Sequence, residues 1–318
     1  MTRIGPEGRW LCTIMATALL SAGCAWGGGS TARLSQAPPL PRPINGVTQF
    51  TADEAVAFHE ATEQLIVACM RERQHTYRPA PAVANKRLAA ANPYGLLTEE
   101  QARTDGYGTV GQAFETSGNR HGAPSDSNRA ALEKLTKDER KAWEEDLAGS
   151  EDHYTKLTAP SGASLRVPKS GCVRHAHAEF YGEKWDALFF LAQDLANQVL
   201  TKTEASGTVR AAVRKWSQCM GAHGYAGLSS LQDPRRRIDE GLKAAGDDKT
   251  RWKSLGREDI SLARHDYQCE RESMMHEAVN RAQRVAERQI LTPRWAAAVA
   301  ELRELKQRAK RKISPSGA

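Results

Sequence analysis

The stretch CVRHAHAEFYG, residues 172–182, holds the side chains best spaced for metal or acid–base chemistry. His175 and Glu179 are four residues apart, so a helix puts both on one face, where an imidazole and a carboxylate can share a metal ion or a proton. A catalytic zinc needs a third protein ligand and an open position. His177 is two residues from His175, roughly 200° round a helix, and cannot complete the same set. His153, the next candidate, comes from a distant loop. HExxH, GxSxG and GxxxxGK[ST] are all absent. The pair is therefore expected to be a surface histidine beside a carboxylate, and a hydrolase centred on His175 and Glu179 is the alternative reading.

GYGTVG, with Gly106, Gly108 and Gly111, matches the glycine fingerprint of dinucleotide sites. That fingerprint works only after a strand, which presents the phosphate to a helix N-terminus. LTEEQARTD precedes it here and reads as a short helix, so a glycine-rich surface loop is expected and no cofactor or metal. Trp143, Trp185, Trp216, Trp252 and Trp295 are spread singly at helical positions. Such tryptophans can stack sugars, but this spacing is the usual one for core packing.

The elements that must position these residues are helices. Ala, Arg, Glu and Leu abound and β-branched runs are scarce. Thr51 with Glu54, Thr98 with Gln101, and Thr136 with Glu139 spell capping boxes. Asp233-Pro234 and Thr292-Pro293 each set a capping side chain before a proline at the first helical position. Residues 183–202 carry Trp185, Leu188, Phe189, Ala192, Leu195 and Val199 on one face. Residues 258–291 place Ile260, Ala263, Tyr267, Met274, Ala278 and Val285 on another, which predicts one helix roughly 50 Å long. Residues 293–312 follow with Trp295, Val299, Leu302, Leu305 and Ala309. The expected fold is all-α: packed amphipathic helices ending in a long helical hairpin or kinked helix. Residues 48–318 form the body, with possible halves at 48–160 and 165–318.

The front end is different. Arg3 and Arg9 precede LCTIMATALLSAG, an apolar stretch too short to cross a bilayer core of about 30 Å. This is the layout of a secretory signal over residues 1–23. Ser21, Ala22 and Gly23 then lead into Cys24. The segment resembles the lipobox of bacterial lipoproteins, in which the cysteine thiol receives a diacylglycerol and becomes the new N-terminus. It departs from that pattern in one place: Ser21 stands where leucine is usual, and Leu20 lies one residue further back. Residues 24–47 alternate a flexible Gly/Ser part with the stiffer APPLPRP, and are expected to tether the body to the cell membrane.

Cysteine arithmetic agrees. Of six cysteines, Cys12 lies in the leader and Cys24 at the lipobox, leaving Cys69, Cys172, Cys219 and Cys269. An even set in an exported chain suits two disulfides, and four cysteines allow three pairings. Cys69 and Cys219 each sit in the last turn of a helix and are each followed by methionine, in CMRERQHTYRP and CMGAHGYAG. From that position a cysteine can staple its helix to a neighbouring antiparallel one. Cys69–Cys172 and Cys219–Cys269 are favoured because each joins a Cys-Met helix to the next cysteine-bearing helix.

These two elements, with NPYGLLTEEQARTDGYG, GCVRHAHAEFYG and KWSQCM, resemble uncharacterised exported proteins and lipoproteins of high-GC Gram-positive bacteria, in which a Cys-Met-x-x-x-Gly-aromatic element appears twice. The first copy departs from that pattern, with Gln74 in place of glycine and His75 in place of the aromatic. The resemblance implies architecture and export, and no activity.

The net charge of +7 is mild for 318 residues. Outside the membrane it points to anionic envelope polymers, lipid headgroups or another envelope protein as partners, and away from nucleic acid. Lys306, Arg308, Lys310, Arg311 and Lys312 crowd the last helical turns, where cations favour the helix dipole and can also meet an anionic surface. The expected function is a lipid-anchored binding or structural module of the cell envelope. The alternative is an envelope-directed hydrolase at His175/Glu179.

Overall fold

Helix starts spelled in the sequence set the frame. Thr51, Thr98 and Thr136 each accept a hydrogen bond from the N–H three residues on, while Glu54, Gln101 and Glu139 accept one from the cap backbone. Each box satisfies two N–H groups that a helix end otherwise leaves bare. The computed structural model describes residues 39–118, 128–150 and 152–313. Among these lie α1 (Ala52–Glu72), α2 (Lys86–Ala90), α3 (Glu99–Thr104), α4 (Thr109–Gly118), α5 (Arg129–Leu132) and α6 (Lys137–Ala148). A hairpin of β1 (Tyr154–Thr158) and β2 (Ser164–Pro168) follows. Then come α7 (Cys172–Tyr181), α8 (Trp185–Glu204), α9 (Gly207–Ala222), α10 (Asp233–Ala245), α11 (Lys249–Glu272), α12 (Met275–Ile290) and α13 (Pro293–Ile313). The fold is all-α with one small antiparallel hairpin. That hairpin, running from Tyr154 opposite Pro168 to Thr158 opposite Ser164, is absent from the sequence reading.

Both disulfides form as favoured, Cys69–Cys172 and Cys219–Cys269, each with Cα atoms 5.6 Å apart. The two Cys-Met elements are one local structure. His75 N donates to Met70 O and Tyr225 N to Met220 O, both at 2.9 Å, closing a left-handed helix end. Gly224 takes the left-handed residue with φ +88°, and Gln74 takes the same place with φ +63°. The departure from glycine thus leaves the turn intact, at the cost of strain in a side-chain-bearing residue.

Three expectations are corrected. The single helix over 258–291 is two, because Met274 is left-handed (φ +57°) and ends α11. Met275 beside it is fully buried while Met274 is 58% exposed. No glycine or proline marks this break. Secondly, the tether does not reach residue 47. Ile44 and Val47 are buried against Trp185, Leu195 and Leu302, and Ile44 N donates to Glu287 at 2.8 Å. The described residues from 40 onward form one unit. The halves 48–160 and 165–318 share its main core, where Tyr94, Leu96 and Tyr107 pack with Trp216, Leu262 and Met275. Each fully buried leucine there contributes about 1.5–3 kcal/mol. Lastly, Asp233 accepts from the N–H groups of Ser229 and Ser230, ordering the turn before α10 and not the helix start. The leader 1–23 and Cys24 lie outside the described residues.

Candidate functional site

The inner face of α11 is acidic. Asp259, Asp266 and Glu270 are spaced by seven and four residues, so they line one side of the helix, and all are at most 1% exposed. The apolar stripe expected here is off by about a quarter turn. Ile260 and Tyr267 are half-buried and Val285 is exposed, while Leu262, Ala263 and Cys269 share the inner face with the acids. Hydrophobic periodicity misses this because it scores a buried carboxylate as solvent-facing.

Each acid holds a group that would otherwise be buried unpaired. Asp259 Oδ1 accepts from Tyr107 N at 2.7 Å. Asp266 accepts from the Tyr107 hydroxyl and from the Trp216 indole N–H, both at 2.6 Å. Glu270 accepts from Leu97 N at 3.2 Å and meets His276 Nε2 at 2.6 Å. Segment 92–111 is thereby laid along α11. Burial pushes the Asp259 carboxyl up to about 6, and those of Asp266 and Glu270 well above the usual carboxylate range. Burial also pulls the His276 imidazole down.

This docking explains GYGTVG without a nucleotide. Gly106 has φ +62°, and a Cβ there would lie 2.3 Å from Asp259 Oδ1. At Gly111 a Cβ would meet the Arg87 guanidinium at 2.4 Å. The glycines permit close packing of their own chain.

On the solvent side of the same segment lies a groove of about 710 Å³, whose lining includes Lys86, Arg87, Glu100, Gln101, Tyr107 and Arg235. Arg87 forms a bidentate pair with Asp105 at 2.7 and 2.8 Å and reaches Glu115 at 2.5 Å, which raises its pKa. It is a brace between loop and α4. Arg235 reaches Tyr107 O at 3.4 Å. The buried acids face away from solvent beneath this floor. The groove offers hydrogen-bonding and mixed charge to a polar ligand, with no nucleophile paired to a base among its lining residues.

The residues singled out from sequence fare differently. His175 and Glu179 do pair on one face of α7, at 3.3 Å, with side chains 62% and 55% exposed. His177 turns away and meets Asp186 at 3.0 Å, and His153 sits at the base of the hairpin. Among the described residues this pair gains no third ligand. Trp143, Trp185, Trp216 and Trp252 are at most 7% exposed, and Trp295 is half-buried against the second core. They are packing residues and offer no stacking platform. In the basic tail, Lys306 is buried and donates to the carbonyls of Val47 and Gln49. Lys310 pairs with Glu54, and Lys312 donates to Glu179 O and Phe180 O at 2.7 and 2.8 Å. Arg308 and Arg311 alone of the five are exposed without such a contact to another segment. The tail is mostly mortar.

Segment 92–111 and the three acids are the part of the site that sequence reasoning missed as a unit. The signal available was the spacing Asp259, Asp266, Glu270, in register with Cys269. Comparison with protein-family models, curated proteins and solved structures finds no match for this chain.

Proposed function

We propose that this chain is an extracytoplasmic lipoprotein, held to the cell membrane through Cys24, whose helical body is a binding or structural module of the envelope. It would belong with the uncharacterised exported proteins of high-GC Gram-positive bacteria that it resembles. Cysteine use carries the reading. All four body cysteines are consumed in two disulfides, which persist in oxidising compartments. Outside the leader, Cys24 is then the remaining thiol. No helix of the described residues is long and apolar enough to cross a membrane. The groove over segment 92–111 is the candidate contact face for a polar envelope polymer or protein, its floor preset by the acids of α11.

The test begins with anchoring. Cys24→Ala should abolish incorporation of labelled fatty acid and leave the chain unprocessed or shed into the medium, because stable attachment takes two acyl chains at about 0.8 kcal/mol per buried CH₂. Unchanged membrane fractionation in low and high salt would overturn the anchor. Arg235→Ala with Glu100→Ala should then weaken retention of the shed body on purified envelope material, and equal retention would remove the groove from the proposal.

A further inference from the structure

The corner around Cys219–Cys269 holds more than a staple. Cys219 and His223 are four residues apart at the end of α9, and His265 and Cys269 are four residues apart on α11. One ligand atom each from Cys219, His223 and Cys269 lie within 4.8 Å of one another. The His223 and His265 rings stand 4.6 Å apart, centroid to centroid. His265 Nδ1 lies 2.9 Å from Ser261 O. A carbonyl only accepts, so Nδ1 carries the proton and Nε2 of the neutral ring keeps its lone pair. That is the second-shell arrangement that prepares an imidazole to ligate a metal. Glu272 lies 3.3 Å from Cys219 Sγ and adds negative charge beside the cluster. Among the described residues nothing comparable surrounds Cys69–Cys172, where His75 is held by Asp146.

We propose that reduction of Cys219–Cys269 turns this corner into a site for one zinc-class divalent ion, bound by the two thiolates and a nitrogen of His223, with the fourth place open on the side of His265. The chemistry balances in two steps. A dithiol reductant gives two electrons and two protons to the S–S bond, which breaks into two thiols while the reductant closes to its own disulfide. Two Zn–S bonds then form as the two thiol protons pass to solvent. Tetrahedral zinc puts S and N ligand atoms about 3.5–3.8 Å apart, so the ligand atoms need only small side-chain rotations once the bond is open. Two thiolates and imidazole are the donor set that selects zinc over the hard divalent cations. In the oxidised protein the same sulfurs have no charge to offer, so the staple and the metal exclude each other.

The probe is Co²⁺ as a visible reporter for zinc, added to the full chain carrying Cys12→Ser and Cys24→Ser. The reduced protein, freed of dithiol under argon, should bind one Co²⁺ per chain with thiolate-to-metal charge-transfer absorption, and the oxidised protein none. His223→Ala, an exposed position, should weaken binding by more than the about 10–100-fold that loss of an outer-shell partner costs. Bound Zn²⁺ should slow iodoacetamide modification of Cys219 and Cys269 relative to the reduced metal-free protein, and leave the rates at the buried Cys69 and Cys172 unchanged. Circular dichroism tracks the fold: helicity lost on reduction should return with Zn²⁺. No binding, affinity indifferent to His223→Ala, equal shielding of all four cysteines, or unfolding that Zn²⁺ does not reverse would each overturn the site.

Discussion

The two disulfides use one local element for two different jobs. Cys69 and Cys172 join α1 to α7 with Phe58 against Phe180 further along, at 5.6 Å between rings, so those helices run antiparallel. Cys219 and Cys269 join α9 to α11, and Trp216 meets Asp266 one turn earlier on both, so these run the same way, contrary to the antiparallel partner expected from sequence. The return through α10 makes that possible. The first staple sits in a small apolar cluster with Ile66, Met70 and Trp143. The second closes the main core, whose inner wall is the acidic face of α11. The residue after the cysteine states the contrast: Met70 and Met220 are buried after theirs, and Glu270 is buried after Cys269. Where the backbone turn is fixed by local bonds, the neighbouring side chain is free to carry either packing or charge.

The largest effects should come from the staples themselves. Replacing both cysteines of a pair by alanine removes a sequence separation of 103 or of 50 residues. The chain-entropy model gives about 4.7 and about 4.1 kcal/mol as upper estimates, so the first pair should cost about 0.6 kcal/mol more. Urea unfolding of both variants measures this. A costlier second pair would break the comparison on its simplest term, and would show that the buried acids depend on their staple.

Next in size is Asp266→Ala. It strands the Tyr107 hydroxyl and the Trp216 N–H in the core, at about 1–3 kcal/mol for each donor. Stability should fall by about 2–6 kcal/mol, and Met70→Ala, which opens a cavity in the apolar cluster, should cost about 2–5 kcal/mol. The two should differ in pH dependence, since only the first removes a titrating group.

The pH response sharpens this further. Burial raises the Asp259 carboxyl to about 6, with Asp105 adding to the rise, and with the N–H groups of Tyr107 and Val110 and the charge of Arg235 opposing it. A carboxyl harder to ionise folded than unfolded holds more protons in the native state between about pH 4 and 6. Stability therefore falls as pH rises through that window, the reverse of an ion-paired carboxylate. Asp266 and Glu270 act in the same direction and extend the fall to higher pH. Unfolding free energies measured from pH 4 to 7 should decline, and Asp259→Asn should flatten the lower part of the slope. A wild-type profile rising with pH would contradict the acidic face as described.

The smallest effect tests the shared turn. Gln74→Gly should raise stability by about 1 kcal/mol by relieving a left-handed side-chain residue, and Gly224→Gln should lower it by about as much. Equal and opposite shifts in thermal unfolding would show the two copies to be one element; shifts of the same sign would separate them.

The sequence by itself determined whatever rests on chemistry between near neighbours. Thr51, Thr98 and Thr136 start their helices because each cap and its box partner are three residues apart and need nothing else. The divergence of His175 from His177 and the all-α class were legible for the same reason, whereas the cysteine pairing, across 103 and 50 residues, was legible from chain order, each Cys-Met helix being joined to the next cysteine-bearing one. What only the tertiary structure decided is which face turns inward and where a helix must stop. Met274 ends α11 with no local signal, because the core requires Met275 on the other side of a break. Asp259, Asp266 and Glu270 face inward because Tyr107, Leu97, Trp216 and His276, distant in sequence, supply the partners that make a buried carboxylate tolerable. Lys306 and Lys312 turn from solvent to carbonyls that other segments leave exposed. A charged side chain's worth depends on what it meets, and that partner is named only by the fold.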